Sequence, residues 1–177
     1  MLAEPKLEDR PFQVLSWSPG VPRRLLILSP CVGINTHYMS RTLICGGVQC
    51  PACKSGIAGK YSGYVVVFWD GRNRLLRLTQ GAAFVGLEAG YFVPGRVLMV
   101  EKPKERQSLK MMPDGDCVDV NCFSFHSRLQ LLSIVARLHG LPQVPQEMTE
   151  VEAGDLVHRN ASELIRLAMK GAFVNTV

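Results

Sequence analysis

Short apolar runs of the length of β-strands occur along the first two thirds of the chain. The run RRLLILSP ends at Pro30, and YVVVFW (residues 64–69) is followed by the turn sequence DGRN and then by RLLRLT. Two such runs joined by a tight turn predict a β-hairpin. GRVLMVEK and SLKMM predict two further strands. The pattern therefore predicts a small antiparallel sheet or a closed barrel.

The periodicity changes after residue 123, where apolar residues recur at helical spacing. A helix is predicted over residues 127–139, with Ser127 or Ser124 as N-cap, Gly140 at its end and an apolar stripe formed by Leu129, Leu132, Val135 and Leu138. RNASELIRLAMKGA predicts a second helix, because Asn160 and Glu163 have the spacing of a capping box. QVPQEMTEVEAGD is either an acidic linker or the start of that helix.

Charge is distributed unevenly along the 177 residues, whose net charge is +5. From Arg23 to Lys110 there are 13 Lys and Arg against 4 Asp and Glu. Such a stretch favours binding to a polyanion, and a solvated basic surface is the alternative. No apolar run approaches the roughly 20 residues of a membrane-spanning helix, and no export signal is evident. We expect a cytoplasmic protein without membrane contact.

Four of the six cysteines lie between Cys31 and Cys53. In a reducing cytosol a cluster of this density indicates a metal site rather than disulfide bridges. Cys50-Pro51-Ala52-Cys53 has the spacing of a zinc knuckle, and Cys45 supplies a third thiolate. Zinc therefore is the expected cofactor, in a structural role.

A fourth ligand is needed, and two upstream residues are candidates. His37 lies seven residues before Cys45, whereas Cys31 continues an apolar strand that we expect to be buried. We favour the set His37, Cys45, Cys50 and Cys53, with Cys31 as the alternative to His37. Four protein ligands leave a zinc ion no open position for catalysis.

Enzymatic alternatives find little support in the sequence. A redox CxxC pair normally begins a helix, and the glycines after CPAC predict no helix there. A zinc deaminase requires His-x-Glu, whereas His37 is followed by Tyr38 and Met39. Because no paired carboxylates, activated nucleophile or phosphate loop are evident, we expect that the protein is not an enzyme.

The order His37, Cys45, Cys50-Pro51-Ala52-Cys53 and then the strand YVVVFW with a basic hairpin resembles a known zinc subdomain. It is similar to that of the helix-destabilising single-stranded DNA-binding proteins of large tailed phages, over about residues 37–80. The resemblance implies an OB-fold beside a His/Cys3 zinc site, with a cleft for single-stranded DNA. The chain also resembles zinc-knuckle proteins of bacterial mobile elements.

With this resemblance, the expected architecture is a β-rich α+β fold. It comprises an N-terminal arm (residues 1–22), an OB-like antiparallel barrel (residues 23–122) with an inserted zinc loop (residues 37–56), and a C-terminal appendage of two helices (residues 123–177).

Single-stranded nucleic acid needs cations for its phosphates and aromatic faces for its bases. Residues that offer them near the zinc loop and the hairpin are Tyr38, Arg41, Lys54, Lys60, Tyr61, Tyr64, Arg72, Arg74 and Arg77. We expect binding without sequence specificity, to DNA more than to RNA. The rival hypothesis is an interaction module of a phage or mobile element, in which the zinc loop docks on a protein and the C-terminal helices bind a partner or a second copy.

Overall fold

The structure is a computed structural model that describes residues 12–105, 108–115, 117–118 and 123–174. Its strands are β1 (Arg23–Ile27), β2 (Val32–Tyr38), β3 (Thr42–Ile44), β4 (Lys60–Trp69), β5 (Arg72–Leu78), β6 (Val97–Glu101) and β7 (Lys110–Pro113). Its helices are α1 (Pro51–Lys54), α2 (Gln80–Glu88), α3 (Arg128–Leu138) and α4 (Glu150–Val174). The α+β class and the hairpin of β4 and β5 are confirmed.

The seven strands form one antiparallel sheet in the order β3-β2-β4-β1-β6-β7, and β5 also pairs with β4. The long strand β4 pairs with β2 through residues 60–64, with β1 through residues 67–68 and with β5 through residues 63–69. Within the described residues the outer strands β3 and β7 do not pair with each other. The sheet is therefore open, and the OB-like barrel is not confirmed.

The chain bends between β1 and β2 at Pro30, which has no N–H to donate to the sheet. Ser29 completes the ladder there, because its side-chain oxygen accepts the N–H of Val66 at 2.8 Å. The bend lets β1 and β2 run along consecutive parts of β4. It thereby carries β2 to the region where the cysteines lie.

Both faces of the sheet are covered. On one face α3 and α4 pack on a cluster that includes Val66 and Leu75, and we call this the helical face. On the other face α2 packs on a cluster that includes Val65, Val67 and Leu76, and we call this the α2 face. Side chains alternate along a strand, which explains why a continuous apolar run such as YVVVFW is buried on both sides.

The two long helices begin and end at recognisable signals. Ser127 caps α3 in a capping box with Gln130, and Gly140 follows the helix with φ +79°. The helix predicted over residues 127–139 is confirmed. The capping box predicted at Asn160 is wrong, because α4 begins ten residues earlier at Glu150. There the side chain of Thr149 accepts the N–H of Glu152 at 3.2 Å.

The described part of the N-terminal arm pairs with the sheet at one point. Val14 forms a parallel bridge with Leu75, whose N–H and C=O bond to Gln13 and Leu15 at 2.9 Å. The arm thus lies beside β5. Among the helices of the described ranges, none has the length and hydropathy needed to cross a membrane.

Candidate metal centre

The hairpin of β2 and β3 positions two of the predicted ligands. His37 of β2 lies opposite Leu43 of β3, and Cys45 comes two residues after Leu43, hence on the same face. The N–H of Cys45 donates to the carbonyl of Asn35 at 2.8 Å. This bond extends the ladder past the end of β3, so that Cys45 is held beside the histidine.

The short helix α1 positions the other two ligands. Cys50 is its N-cap residue, Pro51 occupies the first turn and Cys53 follows three residues after Cys50. Proline suits this place because its fixed φ is helical and it has no N–H that needs a partner. The single turn of α1 begins within CPAC itself and ends at Lys54, one residue after Cys53 and before Gly56, where φ is +76°. The prediction that no helix follows CPAC is therefore confirmed.

The four side chains converge on one point. The Sγ atoms of Cys45 and Cys53 lie 3.6 Å apart, and Nε2 of His37 lies 3.6 Å from Sγ of Cys50 and 3.4 Å from Sγ of Cys53. All four donor atoms lie within 4.8 Å of one another. Tetrahedral zinc, with bonds of about 2.3 Å to sulfur and about 2.0 Å to nitrogen, sets donor separations of about 3.5–3.8 Å. The geometry is compatible with a bound metal ion, and zinc is the typical ion for this donor set.

The orientation of His37 fits the role of a ligand. Its Nδ1 lies 3.1 Å from the carbonyl oxygen of Ala58. Because a carbonyl only accepts hydrogen bonds, Nδ1 carries the proton and Nε2 presents a lone pair to the three sulfurs. Metal-binding histidines are commonly oriented in this way by their second nitrogen. The imidazole itself is buried.

The local environment acts differently on two of the thiols. Burial raises the pKa of the Cys45 thiol to about 12. Burial also disfavours the thiolate of Cys50, but backbone hydrogen bonds from Cys53, Gly46 and Ala52 outweigh it and lower the pKa of that thiol to about 7. Three thiolates in one place repel each other, so a cation at their centre stabilises the charged forms that ligation requires.

Helix α4 packs against the Gly46-Gly47 turn beside the donor atoms. The sequence alone does not predict this contact. The hydroxyl of Ser162 donates to the carbonyl of Gly46 at 3.4 Å. A Cβ atom at Gly47 would lie 2.7 Å from Nδ1 of His158. Only a residue without a side chain lets α4 approach the turn this closely. The contact joins residues more than a hundred positions apart, so no local pattern announces it.

A small apolar cluster surrounds the donor atoms. Its buried members are Leu43 of β3, Ala52 of α1 and Ile165 of α4, together with Cys45 and Cys50. Residues 37–56, predicted as a zinc loop, thus consist of the end of β2, a hairpin, a turn of 3-10 helix at Gly47–Gln49 and α1.

Cys31, the alternative fourth ligand, lies elsewhere. It packs in the cluster of the α2 face, and burial raises the pKa of its thiol to about 11. Its carbonyl accepts a hydrogen bond from Arg128 at 2.7 Å. The structure therefore groups His37, not Cys31, with the three other cysteines.

The side chains predicted to bind nucleic acid differ in exposure. Tyr38 is 74% exposed, and Tyr61 is half-buried with its ring over Gly33. Five of the six basic residues are exposed, namely Arg41, Lys54, Lys60, Arg72 and Arg77, and Arg74 is half-buried.

Tyr64 does not have the exposed ring that stacking on a base requires. It is 1% exposed, and its hydroxyl lies 3.3 Å from Nε2 of His139. The prediction of Tyr64 as a stacking residue is wrong for this structure, because its side chain points to the helical face beneath α3.

The arginines of β5 do not share one surface. Arg74 pairs with Val67, which belongs to the cluster of the α2 face, and Arg72 pairs with Trp69 on that same side. Arg77 pairs with Tyr64 on the helical face. Alternation along the strand separates them. Arg72 and Arg74 can contact one ligand together, whereas Arg77 faces the opposite side.

No protein-family model, no curated protein and no solved structure matches the chain.

Proposed function

We propose that this is a zinc-stabilised protein that binds single-stranded nucleic acid, DNA more than RNA, without sequence specificity. Zinc is held by His37, Cys45, Cys50 and Cys53, whose donor atoms lie within 4.8 Å of one another. Four protein ligands complete a tetrahedron, so the ion has a structural role and we propose no reaction. A cytoplasmic setting belongs to the proposal, because thiolates must stay reduced to bind metal.

One observation supports the nucleic-acid part of the proposal. The described residues contain three ion pairs, and these involve Arg24, Arg128 and Arg166. None involves the six basic residues predicted from the sequence, which are Arg41, Lys54, Lys60, Arg72, Arg74 and Arg77. Cations without carboxylate partners are available to phosphates, and a single strand is a polyanion that such a surface attracts.

The proposal is tested with zinc-loaded protein and labelled oligonucleotides of one sequence, single-stranded and duplex, at two salt concentrations. We expect tighter binding to the single strand and an affinity that falls as salt rises, by about 0.7 in the log-log slope for each phosphate contact. Equal and negligible binding of both oligonucleotides would refute the proposal.

A protein-interaction module is the second candidate function. Val48, next to the knuckle, is 94% exposed, and Phe84 and Leu87 on the outer side of α2 are 60% and 53% exposed. Exposed apolar side chains of this size favour contact with another protein. The predicted stripe on α3 is not available for this purpose, because Val135 is fully buried and its neighbours in the stripe pack on the sheet. Concentration-dependent self-association without nucleic-acid binding would favour this candidate.

A further inference from the structure

Both tryptophans of the sequence lie with two arginines at one end of the sheet. The guanidinium of Arg23 lies 4.4 Å from the ring centroid of Trp69 and 5.0 Å from that of Trp17. The guanidinium of Arg74 lies 5.2 Å from the ring centroid of Trp69. We call these four residues the Trp–Arg cluster.

The topology of the sheet explains this arrangement. Trp69 ends β4, Arg23 begins β1 on one side of it, and Arg74 lies in β5 on its other side. All three residues point to the α2 face. Trp17 comes from the N-terminal arm, and Arg23 donates a hydrogen bond to the carbonyl of Ser16 at 2.6 Å, which ties the arm to β1.

No acidic side chain in the described part of the chain pairs with the charges of the cluster. Among the described residues no carboxylate lies within 4.0 Å of the guanidinium of Arg23 or Arg74. Nε of Arg74 is buried and has no hydrogen-bond partner within the described ranges. A guanidinium stacked on an indole keeps its N–H groups in the plane of the stack, directed at acceptors beyond the ring. Arg72, exposed and opposite Trp69, adds a third cation.

We propose that the Trp–Arg cluster is the site that binds single-stranded nucleic acid. Arg23, Arg72 and Arg74 bind phosphates, and a base stacks on the accessible part of Trp17 or Trp69, since both rings are half-buried. This inference rests on the proposed function but replaces the tyrosines near the metal centre with the tryptophans as the stacking residues. It places the contact on the α2 face and not on the zinc knuckle.

The two tryptophans make the test direct, because all tryptophan emission of the protein comes from this cluster. Zinc-loaded protein is titrated with fluorescein-labelled (dT)12 to measure anisotropy, and with unlabelled (dT)12 to measure tryptophan emission. We expect the tryptophan emission and the anisotropy to change at the same oligonucleotide concentration, once the effect of the fluorescein label on affinity has been corrected for. The double variant Arg23→Ala/Arg74→Ala should bind about tenfold or more weakly, with a salt slope smaller by about 1.4.

The matched control removes two exposed arginines outside the cluster, by Arg137→Ala/Arg159→Ala on α3 and α4. This control has the same net charge as Arg23→Ala/Arg74→Ala. It should bind (dT)12 within about twofold of the wild-type affinity. Arg23→Lys/Arg74→Lys keeps the charge but loses the planar guanidinium groups that stack on the indole rings. This variant tests the cluster if the alanine double variant does not fold. We expect a smaller tryptophan response and an intermediate affinity from it.

Failure of the inference is distinguishable from failure of the proposed function. Binding by anisotropy with unchanged tryptophan emission, and with wild-type affinity in the cluster variants, would overturn the site and leave the function standing. An equal loss of affinity in the control double variant would also overturn it, because net charge alone would then explain binding. If the wild-type protein does not bind (dT)12, both the proposed site and the proposed function are refuted.

Discussion

Strand β4 follows directly on the segment around the metal centre (residues 37–58), but different interactions stabilise the two regions. Val65, Val66 and Val67 of β4 are fully buried between two layers of helices, and each such side chain contributes about 1.5–3 kcal/mol by burial. The metal segment contributes few buried apolar residues of its own, chiefly Leu43, Ile44 and Ala52. Apolar burial stabilises the first region, whereas we expect the second to depend on a cation between its donors.

Removal of the metal should have the largest effect and should separate the two regions. With chelator, or in Cys50→Ser, we expect residues 37–58 to lose protection against hydrogen exchange, while residues 64–68 keep theirs. Structural zinc contributes apparent binding free energies on the order of 10 kcal/mol in small domains. Hydrogen exchange with mass spectrometry makes the comparison.

Cys117→Ser is the control for that experiment, because Cys117 is an exposed free cysteine outside the cluster. It should retain zinc and the wild-type exchange pattern. Protection of residues 37–58 that does not depend on metal would contradict the contrast between the two regions.

A cavity in the sheet core should produce the opposite result. Leu75→Ala removes a fully buried side chain from the cluster of the helical face, and we expect a loss of about 2–5 kcal/mol in the free energy of unfolding. Zinc stoichiometry in the folded state should not change. Urea unfolding and zinc analysis of the folded fraction measure the two quantities, and loss of zinc from folded Leu75→Ala would show that the regions are not separable.

The contact between α4 and the Gly46-Gly47 turn should have an intermediate effect. A Cβ atom at Gly46 would collide with the hydroxyl of Ser162 and lie 3.1 Å from Cα of Cys50. Gly46→Ala should therefore lower the free energy of unfolding by about 1–3 kcal/mol and weaken zinc binding, as measured by thermal unfolding and competition with a chelator.

Gly81→Ala is the control. The new Cβ on α2 meets open space, so we expect the free energy of unfolding to rise by about 0.5–1 kcal/mol. Equal effects of the two substitutions would argue against this contact.

The smallest effect concerns pH and the half-buried His139. Burial lowers the pKa of His139 below 6.5, and the guanidinium of Arg77 acts in the same direction, although the Thr42 carbonyl opposes both. Because the folded pKa lies below the unfolded one, the unfolded chain takes up the proton first. Stability is therefore lost as pH falls below about 6.5, by at most about 1.4 kcal/mol per pH unit for one group.

His139→Gln removes this titration without touching the metal ligands. The difference in unfolding free energy between wild type and the variant should be constant above pH 7 and should shift against wild type as pH falls to 5.5. A parallel pH dependence of the two proteins would contradict the assignment.

The contrast between the two regions also explains what the sequence predicts well. The strand YVVVFW and the helix from Ser127 to Gly140 carry their signals locally, as an apolar run and as caps. The metal set follows from donor chemistry, since a C-P-x-C knuckle with one more Cys and one His meets what zinc requires.

Features that depend on distant contacts were not predictable in the same way. Whether β3 and β7 meet decides between a barrel and an open sheet, and no local pattern encodes that. The burial of Tyr64 depends on α3, which packs above it. His139, at the end of α3, contacts the Tyr64 hydroxyl although the two residues are 75 positions apart in the sequence. For α4, the signal Thr149-x-x-Glu152 was present in the sequence, but the similar pair Asn160 and Glu163 competed with it.

X-ray absorption at the zinc edge tests the central claim most directly. For protein purified with zinc and dialysed, the account predicts one zinc ion per chain, bound by three sulfur atoms at about 2.3 Å and one nitrogen at about 2.0–2.1 Å. His37→Ala should lose the nitrogen scatterer. Protein without stoichiometric zinc, or a zinc ion with four sulfur neighbours in wild type, would contradict the account.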